Sequence, residues 1–433
     1  MARLLFAKEA GFEKDFTALV NASRDEKSDV DGAVAAILAD VKKRGDAAVL
    51  DYTAKWDRVT LSAEKLRFTK SEIESAASQC DGETLKALHV AAERIADYHR
   101  RQMPKDELYA GKDGITLGWR WTAVSSAGLY VPGGTAALFS SVLMNAVPAK
   151  VAGVPRLVVT LPTPDGKTNP LMLAACKIAG VDEVYRIGGA QAIGALAYGT
   201  ATIAAVDKIV GPGNAYVASA KKQVFGAVGI DMVAGPSEIL VVADNSNDPA
   251  WIAADLLSQA EHDPSSQSVL ITDSEDFARR TIEAVDGHLK TLPRADIART
   301  SWQKHGGVIV VDRLLDAAAL VDRIAPEHLE LAVADAKPLM AAIRHAGAIF
   351  VGRHTPEALG DYIAGPSHVL PTSGTARFSS GLGVFDFLKR TSIVDCSAEG
   401  LRAIGPSALA MARAEELDAH ALSVAIRLNI GRT

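Results

Sequence analysis

LVVTLPTPDGKTNPLMLAACKIAGVDEVYRIGG, residues 157–189, decides the fold class. Leu157 to Leu161 reads as a buried strand, Pro162 to Gly166 as a loop, and Leu171 to Ala179 as a helix. Val184 to Ile187 is the next strand, running into Gly188-Gly189 and a further helix. Downstream, Ile209-Val210 is a short strand that ends in Gly211-Pro212-Gly213 before a helix from Tyr216 to Phe225. Alternation of this kind argues a parallel sheet with helices on its faces. A second set of strand candidates follows with helices between them: Ile239 to Val242, Val269 to Thr272, Val308 to Val311 and Ile349 to Val351. Two α/β modules are therefore expected.

Outside these modules the pattern is helical. Val34, Ile37, Leu38 and Val41 fall at i, i+3, i+4 and i+7, one face of an amphipathic helix. Gly45 stops that helix and Asp46 can cap the next. From Ser397 onward the chain again reads as helical, an extension or swapped arm.

A chain of 433 residues needs at least two cores. Hydrophobic content of 48% with 23% charged residues describes a globular protein that is neither disordered nor membrane-embedded. A net charge of −6 leaves no basic footprint for nucleic acid. The early charges of Met1 to Lys14 argue against a signal peptide, and no apolar run is long enough to span a membrane. Cys80, Cys176 and Cys396 have no metal-ligand spacing and fit a reducing compartment, so a cytoplasmic protein is expected.

The glycine fingerprint GxGxxG of dinucleotide enzymes is missing. In its place glycines stand at three strand-to-helix turns: Gly133-Gly134 after Leu129-Tyr130-Val131, Gly188-Gly189, and Gly211-Pro212-Gly213-Asn214. Such turns let backbone N–H groups approach a phosphate or ribose, or merely close tight βα connections. Asp248-Pro249 starts a helix on which Gln259 and His262 lie at i, i+3, close enough to share a ligand. Glutamine is an unusual zinc ligand, and taken alone a structural or surface role is the simpler explanation of the pair. HExxH is absent, which disfavours a zincin protease.

Ala325-Pro326-Glu327-His328-Leu329-Glu330 reads as a helix start, with Glu327 placed against the helix dipole. A histidine there should have its imidazolium disfavoured, leaving a neutral base, and two adjacent bases suit chemistry with two proton removals. The bland alternative is a charge complement beside an ordinary polar residue. Gly360-Asp361-Tyr362 and Gly365-Pro366-Ser367-His368 lie in loop-like sequence, and Glu415 and His420 in a helical one. Cys176 sits on an apolar helical face without an activating base and is expected to be inert.

Taken together, the order and wording of these segments resemble one family. GLYVPGG (128–134), SSVLMNAVPAKVAGV (140–154), GGAQAIGALAYGT (188–200) and KIVGPGNAYVASAKK (208–222) look like histidinol dehydrogenase. So do GIDMVAGPSE (229–238), QAEHDP (259–264), PEHLEL (326–331), GDYIAGPSHVLPT (360–372) and SSGLGVFDFLKR (379–390). The resemblance implies a homodimer that oxidises L-histidinol through the aldehyde to L-histidine with NAD and zinc. By motif, the zinc ligands are Gln259, His262, Asp361 and His420, and the catalytic pair is Glu327 and His328. NAD contacts would be Tyr130, Gln191 and Asn214, and substrate contacts would include Ser237, His368 and Glu415 beside the zinc set and His328.

The same resemblance implies two incomplete Rossmann-like parallel-sheet domains with helical extensions in an intertwined homodimer. Residues 1–28 would be an N-terminal helical extension, and 29–128 with 239–382 the zinc-bearing catalytic domain. Residues 129–238 would bind NAD, and the arm 383–433 would bring Glu415 and His420 to the partner's site. Ser367, Glu416 and Phe139 depart from the family's usual asparagine, glycine and proline. A sibling dehydrogenase acting on a sulfonated propanediol is the alternative; Glu415, which suits an amino group and repels a sulfonate, favours the amino alcohol.

Overall fold

The apolar runs become the strands of two parallel sheets. The computed structural model describes residues 2–21, 30–133 and 138–430, so Gly134 and the 28/29 boundary lie outside the described residues. The chain divides into two units, residues 1–102 with 125–387, and 103–124 with 388–433.

In the first unit, one sheet runs in the order Glu183–Tyr185, Arg156–Thr160, Ser126–Tyr130, Lys208–Val210, Gly229–Ile230, every pairing parallel. From Ser126–Tyr130 the chain winds outward on one side, then crosses back to Lys208–Val210. That reversal opens a crevice at the carboxyl ends of the two strands, where α/β proteins bind ligands. The helix Val30–Arg44 lays Val34, Ile37, Leu38 and Val41 against Ala192, Ile193 and Leu196 of the helix Gly189–Tyr198. That helix, grouped by sequence with the catalytic domain, thus packs over the five-stranded sheet.

The second sheet has the order Arg3–Phe6, Gly307–Val310, Gln267–Thr272, Glu238–Ala243, His328–Ala332, Ala348–Val351, again parallel. The N-terminal segment, expected as helical, therefore also supplies an edge strand. Here the order reverses between Glu238–Ala243 and His328–Ala332, which pair with His328 opposite Ile239. Side chains alternate across a strand. Leu240, Val242, Leu329 and Leu331 enter one core, while Ile239, Val241 and Ala332 join the helix Pro249–Ala260 on the other face. His328 and Glu330 share the face of Ala332 and so point towards that helix.

The second unit is an antiparallel sheet, Leu388–Cys396, Ile115–Ala123, Glu107–Ala110, with helices Ala398–Ala414 and Asp418–Ala425. Three strands stand in regions read as helix or left unread. Much of their surface is open, so they lack the continuous apolar run of a buried parallel strand. The Glu415–His420 stretch is likewise not one helix. It breaks at Glu415–Leu417, and Glu416 adopts φ +58°, where glycine is the usual occupant.

Candidate active site

The Glu327–His328 pair does not begin a helix. The helix Ala317–Ile324 ends at Ala325, which is left-handed at φ +49°, and Pro326 and Glu327 lead into the strand His328–Ala332. Periodicity misleads here because HLELA is short and apolar at alternate positions, while the preceding proline imitates a helix start. Both side chains are buried.

His328 Nδ1 donates to the carbonyl of Glu238 at 2.9 Å, and the Glu238 N–H donates to Glu327 Oε2 at 2.9 Å. One peptide segment, the start of the neighbouring strand, thus orients both bases. The Gln259 amide nitrogen lies 3.1 Å from His328 Nδ1 and donates to Glu357 Oε1 at 2.9 Å. His328 Nε2 faces Asp361 Oδ1 at 3.5 Å and Glu357 Oε1 at 3.7 Å, near enough to feel both charges but long for hydrogen bonds.

These carboxylates reverse the expected charge state of the histidine. Burial alone lowers its pKa, but Glu327, Asp361 and Glu357 outweigh it and raise it to about 10. The imidazolium is favoured, not disfavoured. Burial pushes Glu327 up to about 8, against the pull of His328 and the Glu238 N–H. Asp361 behaves oppositely: burial would raise it, but the His328 and His368 imidazoles hold it well below the usual carboxylate range.

The chain matches the family model for histidinol dehydrogenase over residues 20–428. It is 64% identical over 428 residues to histidinol dehydrogenase of Rhodospirillum rubrum and 61% identical over 429 residues to that of Ruegeria pomeroyi, covering 99% of each chain. The chain belongs to the histidinol dehydrogenase family. The crystal structure of histidinol dehydrogenase from Elizabethkingia anophelis superposes with a TM-score of 0.94 at 36% identity, covering 99% of this chain and 98% of that one. The protein is thus an oxidoreductase of histidine biosynthesis. Among the described residues no helix is long and apolar enough to cross a membrane.

In this histidinol dehydrogenase family member, the residues singled out by sequence fall into three places. Glu327, His328, Gln259, His262, Asp361 and His368 gather in the first unit. His262 retains surface, yet the packing around it lowers its pKa while the Asp361 charge opposes this, which ties it electrically to the cluster. His368 Nδ1 donates to the Asp361 carbonyl at 2.9 Å, and Nε2 meets Ser141 Oγ at 3.0 Å. Ser237 directly precedes the Glu238 peptide that orients the two bases, and its carbonyl accepts from Gln267 N–H.

Tyr130, Gln191 and Asn214 form a second group at the crevice of the five-stranded sheet. The Gly189 N–H donates to the Tyr130 hydroxyl at 3.2 Å, and Asn214 Oδ1 caps the helix Ala215–Val224. Gln191 Oε1 is buried without a hydrogen-bond partner. Glu415 and His420, the third group, are exposed on the second unit.

Asp361 lies on a short helix, Glu357–Tyr362, rather than a loop. That helix brings in Glu357, which the sequence reading passed over although its i, i+4 spacing from Asp361 was visible. Glu357 N–H donates to Glu330 Oε1 at 2.6 Å, and Ser258 Oγ donates to Glu357 Oε2 at 2.9 Å. Burial raises Glu357 to about 8. Burial and the neighbouring Asp255 push Glu330 well above the usual range.

The donor set fits a divalent cation. Ligand atoms of His328, Glu357 and Asp361 lie within 4.8 Å of one another, and Gln259 Oε1 and His328 Nε2 are both buried without a hydrogen-bond partner. Such unmet donors beside a surplus of carboxylates are what a cation would satisfy. Of the three departures, Phe139 lines an apolar cavity of about 380 Å³ with Leu143 and Tyr362. Ser367 turns inward, donating to the Met144 carbonyl and accepting from Val369 N–H. Cys176 is buried, and burial pushes its thiol up to about 12, which disfavours a reactive thiolate.

Proposed function

We propose that the protein is an NAD-dependent, zinc-requiring dehydrogenase that carries L-histidinol through L-histidinal to L-histidine, a four-electron oxidation in two hydride steps. The observation that carries this reading is the buried pair Glu327 and His328, oriented by one peptide segment beside a cation-hungry donor set. Sequence identity of 64% to a curated histidinol dehydrogenase supports it.

Gln259, His262 and Asp361 would hold zinc with His420, the last supplied by the partner subunit's arm in a homodimer. Zinc in that set would bind and orient the substrate, and NAD would supply the hydride acceptor for each oxidation. A cation on Asp361 would offset the negative field that favours the imidazolium, and the neutral His328 then takes the alcohol proton as the first hydride departs; Nδ1, tied to the Glu238 carbonyl, keeps the ring aimed. Glu327 removes a proton from the water that attacks the aldehyde. Burial makes its carboxylate an unusually strong base for that step. His328 then assists the second oxidation. Keeping the reactive aldehyde bound between steps avoids its loss to solution.

Tyr130, Gln191 and Asn214 would contact NAD, in the crevice where α/β sheets bind dinucleotides. The unpartnered Gln191 oxygen supports this. Ser237, His368 and Glu415 would contact the substrate, Glu415 by pairing with its amino group. On this reading residues 129–238 form the NAD domain, 29–128 with 239–382 the catalytic domain, and 383–433 the exchanged arm. The test compares NADH formation from L-histidinol and from a dihydroxypropane sulfonate, before and after chelation. Absence of histidinol turnover in zinc-replete protein ends the reading.

A further inference from the structure

Beneath the crevice lies an ion pair that the chemistry above does not use. Lys221 and Asp231 form a salt bridge with side chains 2% and 0% exposed. Lys221 Nζ donates to the Gly211 carbonyl at 2.8 Å, and the Gly211 N–H donates to Asp231 Oδ2 at 2.8 Å. Opposite ends of one ion pair thus hold the two backbone polar groups of one residue, each charge matched to the dipole it meets.

Gly211 needs that hold. Its φ is +111°, and a Cβ there would come within 2.2 Å of the Tyr130 carbonyl oxygen. The turn it starts runs through Pro212 and Gly213 to Asn214, the cap of the helix that carries Lys221 itself. Asp231 follows the strand Gly229–Ile230 and donates its own N–H to Ile209 O at 3.3 Å. Helix, turn and edge strand are therefore closed into one loop of contacts around Gly211. A buried ion pair is a poor source of net stability, since desolvation offsets the attraction, so its consequence is geometric.

We propose that Lys221 and Asp231 are positioning residues for the dinucleotide: by clamping Gly211 they set the turn that presents Asn214 and keeps the crevice open beside Tyr130. The inference rests on the reading that NAD occupies this crevice. The double variant Lys221→Met/Asp231→Asn releases the Gly211 carbonyl while leaving no lone buried charge. Measured on the zinc-loaded enzyme, it should raise KM for NAD about tenfold, the loss of one charge-assisted hydrogen bond, with kcat at saturating NAD and KM for histidinol changing less than about twofold. Lys221→Gln/Asp231→Asn, which restores a donor, should recover part of that loss. A merely structural role would instead lower Tm and move all constants together, or none.

Asn214→Ala separates the two readings. If it leaves NAD affinity unchanged, NAD lies elsewhere and the crevice reading fails. If it weakens NAD while the folded double variant binds NAD as the wild type does, the clamp inference alone is overturned. Hydrogen exchange on the wild-type enzyme gives a readout independent of variant folding. The Gly211 amide, bonded to Asp231, should be protected like the core without NAD, and rapid exchange there overturns the clamp.

Discussion

At the scale of single residues, the site is governed by charge placed out of water. Three carboxylates surround one imidazole, and their combined field outweighs a desolvation penalty that acts alone on most buried histidines. A divalent cation on Asp361 would compete with the His328 proton for the same negative charge. In metal-free enzyme His328 is raised from 6.5 to about 10, so the stability it contributes is complete below 6.5 and lost as pH climbs towards 10. Glu327, raised from 4.5 to about 8, adds a loss of the same sign. Urea unfolding with chelator should therefore show stability falling between pH 7 and pH 10, and zinc should flatten the slope; an equal slope with and without zinc overturns the competition. Among variants, His328→Asn should slow both oxidations by about 10²–10⁴-fold, the usual worth of a general base. Glu327→Gln should slow acid formation from histidinal as much but spare reduction of the aldehyde, and intact acid formation would remove Glu327 from its role. These residues were readable in sequence; the charge state was not, because Glu357 and Asp361 reach the histidine only through folding.

At the scale of elements, local pattern and fold part company where one signal serves two structures. A proline before an acidic residue marks a helix start, but here it marks the entry to a strand, since the preceding helix has already ended at Ala325. That left-handed alanine is strained where glycine is the usual cap, so Ala325→Gly should stabilise the protein by about 0.5–1 kcal/mol in chemical denaturation. A destabilised variant would mean that packing of the Ala325 methyl outweighs the backbone strain. Most parallel strands, by contrast, match the sequence reading within a residue or two, because burial on both faces writes an apolar run into the chain; Arg3–Phe6, Gly229–Ile230 and His328–Ala332 do not. The antiparallel strands of the second unit have open faces and carry no such run. The Glu357–Tyr362 helix is a further case, short enough that its Gly360 reads as loop.

At the scale of the whole molecule, the second unit leaves Leu108, Val394, Met411, Leu417 and Ile426 exposed. Glu415 and His420 stand exposed on the same unit, and in the proposed homodimer they complete the partner's site. Mixing after reversible dissociation tests this. His328→Asn and His420→Asn enzymes should each be nearly inactive, whereas their reassorted mixture should regain about a quarter of full activity, one intact site in each heterodimer. No recovery in a mixture shown to contain heterodimers places both residues in one subunit's site. Sequence by itself determined the two parallel modules and the absence of a glycine fingerprint, and it singled out Glu327 and His328 as candidate bases, because burial and reactive side chains are written locally. Tertiary structure decided that Glu327 and His328 stand at a strand's amino end, that Glu357 joins them, and that Lys221 and Asp231 grip Gly211. Those relations depend on which strands become neighbours, and no local pattern encodes a distance across a sheet.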